Sequence, residues 1–204
     1  MNFKPNDFFI GLQDFFTILV PGGILVIFLI FNTPETVEGV FNKLSESDNK
    51  FQLAVLLFYS YIFGHVLKRI GRILDKIYDK LMSSKNSDLL EEVKKHKKDD
   101  YPNLSNYEWA RFLLLESNSS YVNEVEIDMI SSKFFRTLVI CIIPILIYYI
   151  VVDNSQTSKL LIIIGLVMLI LFSFYQYLYL RKKSVEKTYK YAIYSIKKAK
   201  EKND

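Results

Sequence analysis

The feature that most constrains the fold is an uninterrupted run of uncharged, mostly apolar residues from Leu160 to Leu180. About 20 such residues in a helix match the hydrocarbon core of a bilayer, whereas a soluble domain would scatter its apolar residues by period. Three other stretches have the same character: Phe15–Phe31, Phe51–Leu67 and Phe134–Val152. The sequence therefore predicts an all-α membrane protein with four transmembrane helices.

The second stretch is the least apolar, because tyrosine, serine, glycine and histidine interrupt it between positions 59 and 65. Taken alone, it could be a core helix of a soluble domain. The distribution of the basic residues along the chain favours a transmembrane span. Segments 68–136 and 181–202 carry nearly all lysines and arginines, while connections 32–50 and 153–158 carry two and none. Such residues concentrate on the cytoplasmic side. We therefore expect a multi-pass membrane protein with both termini in the cytoplasm.

The predicted spans divide the chain into four parts. Residues 1–67 hold the first transmembrane helix pair, and residues 134–180 hold the second. Residues 68–133 form a cytoplasmic helical region, and residues 181–204 form a cytoplasmic amphipathic helix. The middle region is too short for a large core of its own. We therefore expect it to rest on the long helices or on copies of itself.

Within the middle region, Asn106 is predicted to cap a short helix, YEWARFLLLE, because asparagine is favoured at that position. A second short helix is expected over YVNEVEIDMISSKFF, where Tyr121, Val125 and Met129 share one face. The segment before Asn106, SSKNSDLLEEVKKHKKDDYPNLSN, is polar and contains Pro102, which limits helix formation.

Two apolar stripes continue beyond the spans at helical spacing. The first follows the second span and comprises Val66, Ile70, Ile73, Leu74, Ile77 and Leu81. The rest of that helix is occupied by Lys68, Arg69, Arg72, Asp75, Lys76 and Lys80. The second stripe lies in the tail and comprises Val185, Tyr189, Ala192, Ile193 and Ile196.

Three partners for the first stripe stay open: a neighbouring subunit or the tail, another part of the same chain, or the surface of anionic lipid. Pairing the two stripes with each other, within or between subunits, would cover both. We therefore expect a homo-oligomer in contact with membrane lipids.

No motif with a known chemistry is present: no phosphate-binding loop, dinucleotide fingerprint, HExxH, nucleophile elbow or Cys/His metal spacing. The single cysteine, Cys141, excludes an intramolecular disulfide. Ionisable residues are scarce in the spans, and Arg136 lies near an end, where we expect it at the membrane interface. We therefore expect a non-enzymatic protein with no catalytic residues, no cofactor, no metal and no direct binding of nucleic acid.

Gly64 and His65, near the cytoplasmic end of the second span, are candidate contacts at a cytoplasmic mouth. The alternative is an interfacial histidine, with Gly64 admitting a neighbouring helix. A second candidate is a basic cluster that could contact an anionic ligand or lipid: Lys94, Lys95, Lys97 and Lys98. The alternative is a solvated face, because Glu91, Glu92, Asp99 and Asp100 weaken its field.

The first span contains three helix-disfavouring residues in succession, Pro21, Gly22 and Gly23. Carbonyls freed by the proline must find partners in protein or water, so this segment should face other helices. A helix from about Asp7 could turn at Pro21 before crossing. Two roles are open for the three residues: a kink with close packing at the glycines, or a hinge that moves when the cytoplasmic part engages its signal.

Two motifs together carry a resemblance: DFFTILVPGGIL in the first span, and YIFGH in the second span running on into a cytoplasmic helix. The first third of the chain thereby resembles small bacterial multi-pass proteins, some of them encoded in anti-phage defence loci. The resemblance implies a membrane effector, or a membrane anchor beside a soluble partner. It carries over no catalytic residue.

These observations lead to one functional hypothesis and one alternative. The hypothesis is an oligomeric inner-membrane protein that acts as a membrane effector or as a docking platform for a cytoplasmic protein or signal, with anti-phage defence as its setting. The alternative is a passive channel or transporter subunit, because transporters often build a midplane site from an interrupted helix. The few polar residues in the spans argue against a solute path.

Overall fold

A computed structural model of the chain describes residues 5–32, 49–82, 87–97, 104–116, 121–151 and 156–201. All regular structure in these residues is α-helical. The helices are α1 (Pro5–Asn32), α2 (Asn49–Met82), α3 (Ser87–His96), α4 (Asn106–Glu116), α5 (Tyr121–Val151) and α6 (Gln156–Glu201). Connections 33–48 and 152–155, the break at 117–120, Lys98 and Pro102 lie outside the described residues.

Four of the helices, α1, α2, α5 and α6, are long and apolar enough to cross a membrane, which confirms the all-α fold and the four predicted span helices. Helix α6 has 46 residues. At 1.5 Å per residue it is about 69 Å long, whereas the hydrocarbon core of a bilayer is about 30 Å thick. A large part of α6 therefore extends beyond any membrane that it crosses.

Helix α5 runs unbroken from Tyr121 to Val151. The separate short helix predicted before the third span is therefore wrong. Between the amphipathic part and the apolar part there is only a Ser-Ser pair, with no glycine or proline to end the helix. The amphipathic segment and the span thus form one continuous helix.

Helix α1 also runs unbroken, from Pro5 through Pro21 to Asn32. The helix is therefore not interrupted at Pro21, and a kink there stays a prediction. A proline removes one backbone donor, and that loss is tolerated in a helix that packs closely against neighbours. Helix α1 packs against both α2 and α5, and α5 in turn packs along α6.

One end of the molecule is a compact unit that we call the head, made of α3, α4, residues 121–133 of α5 and residues 181–201 of α6. Its core is a hydrophobic cluster built around the tail stripe of α6, with α3, α4 and α5 packed over it. The buried members of this cluster are Val93, Trp109, Ala110, Leu114, Val125, Tyr189, Ala192 and Ile193. The middle region therefore rests on the long helices, as expected.

Helix α3 lies in a polar segment that shows little sign of a helix in its sequence. Leu89, Leu90 and Val93 share one side of it and pack against the tail stripe, and Val93 is completely buried. A single helical turn of apolar residues in a charged segment is a weak periodic signal. The helix is stabilised by the hydrophobic surface of α6, which the local sequence does not show.

The predicted pairing of the two apolar stripes with each other is wrong. The tail stripe is covered by α3, α4 and α5, as described above. By contrast, Val66, Ile70, Ile73 and Ile77 of α2 are exposed, at 42% or more of their surface. The buried side of this part of α2 instead carries Leu67, Gly71 and Tyr78. We call the four exposed residues the α2 stripe.

The N-terminus of α4 is capped by Ser105, and not by Asn106 as predicted. The Ser105 hydroxyl accepts a hydrogen bond from the Glu108 amide at 3.2 Å, and the Ser105 amide donates to the Glu108 carboxylate at 2.8 Å. This reciprocal pair is a capping box. Asn106 is the first residue inside the helix.

We expect Ser105→Ala to destabilise the protein by about 1 kcal/mol, because it removes the cap of α4. In a chain of this size, that loss lowers Tm by roughly 2–4 °C in thermal unfolding in detergent. Asn106→Ala is the matched control and should leave Tm nearly unchanged. Equal effects of the two substitutions would contradict the assignment of the cap.

The same capping box predicts a dependence on pH. The hydrogen bond from the Ser105 amide, together with the Ser105 hydroxyl, holds the pKa of Glu108 below its ordinary value. A carboxylate with a lowered pKa stabilises the fold above its unfolded pKa, and loses this effect as the pH falls through the folded value. The Tm difference between wild type and Glu108→Gln should therefore be present at pH 7 and shrink under acid conditions.

Candidate functional site

Helices α1 and α2 cross with their backbones in direct contact at two glycines. A Cβ atom added to Gly22 would lie 1.8 Å from the Ser60 carbonyl oxygen, and one added to Gly64 would lie 2.1 Å from the Ile18 carbonyl oxygen. Membrane helices use small residues in this way to approach closely. We call this contact the glycine crossing, and it is made by two of the residues singled out in the sequence.

The predicted breaker residues lie at this crossing. Pro21 is fully buried, and its carbonyl accepts a hydrogen bond from the Cys141 thiol of α5 at 3.1 Å. Gly23 is half-buried, and a Cβ atom added to it would lie 3.4 Å from the Ser60 hydroxyl oxygen. This is the geometry that the packing role for Pro21-Gly22-Gly23 requires, and the hinge stays a prediction.

Gly64 and His65 face different surroundings although they are adjacent in sequence. Gly64 is buried against α1, whereas His65 is exposed and packs its ring edge-on against Tyr61, with ring centroids 4.5 Å apart. The Tyr61 ring in turn lies 5.9 Å from the Phe15 ring. The two residues therefore do not share one contact surface, because successive positions on a helix point about 100° apart.

The four lysines of the predicted basic cluster are also divided. Lys94 and Lys95 are exposed in the last turn of α3, where basic residues complement the helix dipole. The Lys97 ammonium donates a hydrogen bond to the Leu104 carbonyl and so helps to close the connection to α4. Lys98 lies outside the described residues. Contact of this cluster with lipid or an anionic ligand stays a prediction.

The structure brings together three polar side chains that the sequence analysis did not connect. Arg136 of α5 forms an ion pair with Asp75 of α2, and the Tyr177 hydroxyl of α6 donates to the other Asp75 oxygen at 2.9 Å. Arg136 is 7% exposed and Tyr177 is completely buried. We call Asp75, Arg136 and Tyr177 the polar junction.

A glycine makes room for the polar junction. A Cβ atom on Gly71, one turn before Asp75, would lie 3.2 Å from the Arg136 Nε atom and 3.4 Å from its Cγ atom. The side chain of Arg136 therefore lies flat across α2 at Gly71 to reach Asp75. Arg136 follows the start of the third predicted span and Tyr177 precedes the end of the fourth. The junction thus joins α2, α5 and α6 at the end of the spans that faces the head.

The sequence contained a partial signal for this site. Asp75 follows Gly71 by one turn and lies on the same side as Leu67 and Tyr78, which is the buried side of α2. This spacing alone could have indicated that Asp75 lies on the buried side of α2, whereas the basic residues around it lie on the other sides. Its partners could not be found in this way, because a one-dimensional pattern does not show which helices face each other.

A second set of charges pairs α5 with α6 inside the head. Lys187 of α6 contacts Glu124 at 3.2 Å and Asp128 at 2.9 Å, and Lys183 contacts Asp128 at 3.3 Å. The Tyr191 hydroxyl also donates to Glu124 at 3.0 Å. Two acidic residues of α5, one turn apart, thus face two basic residues of α6 that are also one turn apart, which fixes the register of the two helices.

The contacts of the polar junction and of the head charges hold the helices together. Nowhere in the described part of the chain do three histidine, cysteine, aspartate or glutamate side chains come together as metal ligands. Comparisons with protein-family models, with curated proteins and with solved structures find no match to this chain. The resemblance to proteins of anti-phage loci therefore stays a hypothesis.

We expect Gly22→Ala and Gly64→Ala each to destabilise the protein, because the new Cβ atom meets backbone that cannot move aside. Overpacking of this kind costs about 1–3 kcal/mol, or roughly 2–12 °C in Tm for a chain of this length. Gly165→Ala is the matched control, because a Cβ atom there would meet nothing within 4 Å. Thermal unfolding in detergent measures all three. A wild-type Tm for both crossing variants would exclude the close contact of α1 and α2.

We expect Arg136→Gln to cost roughly 3 kcal/mol, because it leaves the Asp75 carboxylate without its cation. This is the low end for a broken buried pair, since the Asp75 side chain is 27% exposed. Tyr177→Phe should cost about 1.5 kcal/mol through the lost hydrogen bond to a charged group. Lys182→Ala, in an exposed pair with Glu186 at 3.5 Å, is the control and should change stability by less than about 0.5 kcal/mol.

The double variant Asp75→Asn/Arg136→Gln completes a thermodynamic cycle. It should be more stable than the sum of the two single losses, because no unpaired charge is left at the junction. Purely additive effects would show that Asp75 and Arg136 do not interact.

Proposed function

We propose that this chain is a non-enzymatic, homo-oligomeric inner-membrane protein that acts as a membrane effector or as a docking platform for a cytoplasmic protein or signal. The observation that carries the proposal is the exposed α2 stripe. Three of its residues, Ile70, Ile73 and Ile77, lie beyond the predicted span, and a helix face of large aliphatic residues there needs a cover. A second copy of the chain offers the same face, and isologous contacts of this kind are the commonest way to close an oligomer.

The length of α2 supports a protein partner over lipid as the cover. The second span predicted from the sequence ends at Leu67, so at 1.5 Å per residue Ile73 lies about 9 Å and Ile77 about 15 Å further along the axis. Arg69 and Arg72 flank the stripe and are exposed. Because α2 continues without interruption from its span, the stripe cannot lie flat in the interface as a surface helix does.

The connection between the head and the spans supports a role in transmission. Helices α5 and α6 each run continuously from the apolar part into the head, and the charge pairs of Asp128 hold them in register there. The polar junction ties the same two helices to α2. A partner or signal that displaces the head would therefore act on the arrangement of the spans.

The orientation belongs to the proposal and is supported by the distribution of lysine and arginine. With the head in the cytoplasm, both termini are cytoplasmic and the two short connections face outward. Single cysteines at Ser47 and Asn203, in a Cys141→Ser background, test this. An impermeant thiol reagent added to intact cells should label the cysteine at position 47 and leave the cysteine at position 203 unlabelled.

We expect the double variant Ile73→Gln/Ile77→Gln to shift the protein from an oligomer towards the monomer. Light scattering of the detergent-solubilised protein measures the mass. Ile127→Gln is the matched control, since Ile127 is 46% exposed on the head part of α5 and outside the α2 stripe. A monomeric wild type, or equal effects of the stripe and control variants, would remove the proposed interface.

The biological output needs its own experiment. Induced expression of wild type should depolarise cells during phage challenge if the protein is an effector, and the α2-stripe variant should not. Ion flux through unstimulated proteoliposomes of the wild type would instead favour the alternative of a passive channel. A protein that neither depolarises challenged cells nor depends on its head for any phenotype would refute the proposal.

A further inference from the structure

A cavity of about 620 Å³ lies where the end of α2 meets the head. It is large enough for a small ligand, since binding pockets usually measure about 300–1,000 Å³. Its wall combines aromatic, apolar and charged residues from α2, α3, α4, α5 and α6. The lining residues that matter for its chemistry are Tyr78, Asp79, Tyr107, Glu108, Arg111 and Arg181.

Three buried hydrogen-bond donors in this wall have no partner in the described part of the chain. They are the Tyr78 hydroxyl, the Arg111 Nε–H group and the Arg181 Nε–H group. Tyr78 is only 3% exposed. Buried polar groups in native proteins are nearly always hydrogen-bonded, and an unpaired one is costly. Three such donors in one wall indicate a ligand that supplies several acceptor atoms.

The charge of Arg181 points to an anionic ligand. Its guanidinium group lies between two aromatic rings, 5.9 Å from the Tyr78 centroid and 5.4 Å from the Tyr107 centroid. No carboxylate forms an ion pair with this group among the described residues. A planar guanidinium held in this way presents its donors to an oxyanion.

In the described part of the chain, no other charged residue of the wall forms an ion pair with Arg181. Glu108 is held by the Ser105 amide in the capping box, and Asp79, which also lines the cavity, is exposed. Arg111 donates one Nη2 hydrogen bond to Glu126 at 2.5 Å, while its buried Nε–H group has no partner among the described residues. The first turn of α4 also borders the cavity, and the N-terminus of a helix carries partial positive charge.

We propose that this cavity binds a phosphate-bearing molecule, whose oxygens accept hydrogen bonds from Arg181, Tyr78 and Arg111. A phosphate group suits donors that come from three helices, because it offers acceptor oxygens in several directions. The remaining volume and the tyrosine rings suit an organic part. A phospholipid headgroup and a soluble phosphorylated molecule such as a mononucleotide share this chemistry. The inference does not depend on the proposed oligomer, because all three donors belong to one chain.

Thermal unfolding and equilibrium titration of the full-length protein in an uncharged detergent at about 150 mM salt test the proposal. One arm uses inorganic phosphate and adenosine monophosphate as probes. The other arm uses short-chain phosphatidylglycerol, with short-chain phosphatidylcholine for comparison. A rise in Tm with the soluble probes indicates a soluble phosphorylated ligand, and a rise with phosphatidylglycerol alone indicates a lipid headgroup. No saturable effect of any probe would overturn the proposal.

Tyr78→Phe separates binding from folding. It removes a hydroxyl that lacks a protein partner, so the protein without probe should be as stable as wild type or more stable. Its affinity for the probe should fall roughly tenfold or more, the usual effect of losing a hydrogen bond to a charged group. Arg181→Lys should weaken binding by a similar factor, because an ammonium cannot replace the planar fork.

Two variants serve as controls. Lys182→Gln removes a neighbouring exposed cation that pairs with Glu186, and Tyr194→Phe removes an exposed tyrosine hydroxyl of the head. Both should bind the probe like wild type. If Lys182→Gln weakened binding of the probe as much as Arg181→Lys does, the binding would be nonspecific charge attraction, and the proposal would be overturned. An unchanged affinity of Tyr78→Phe for the probe would also overturn it.

Discussion

The ion pair of Arg136 with Asp75 is the interaction on which the arrangement of the long helices depends. Lipid is as apolar as the side chains of the spans, so hydrophobic burial alone does little to join one span to another. A cation and a carboxylate at the end of the spans have no equally good alternative in lipid. Their pairing, with Tyr177 as a third member, determines that α2, α5 and α6 meet at one point.

Different interactions therefore stabilise each of the two ends of the molecule. Among the spans, backbones touch at the glycine crossing and a few hydrogen bonds connect helices, as Cys141 does with Pro21. In the head, Trp109, Leu114 and Ile193 form a core of the kind found in soluble proteins, which the hydrophobic effect stabilises. Helices α5 and α6 belong to both ends, so the head and the spans are parts of one framework.

The cavity beside Arg181 and the exposed α2 stripe are the places where this framework is incomplete. One presents unpartnered donors, and the other presents uncovered aliphatic side chains. The α2 stripe lies on the helix that carries Asp75. The cavity wall includes Tyr78 of the same helix and Arg181 of the helix that carries Tyr177. A ligand in the cavity and a partner on the stripe would therefore both act close to the junction that joins the head to the spans.

The sequence by itself determined that the chain is helical, that four helices are long and apolar enough for a membrane, and that Gly64 can admit another helix. Length, hydropathy and residue size are local properties, so one stretch is enough to show them. Only the tertiary structure decided that α5 is one helix, that α3 exists, that Asp75 faces inward and that the two stripes do not meet. Each of these outcomes depends on which surfaces face each other. The periodic pattern of a helix shows which side is apolar or charged, but it does not show which partner covers that side.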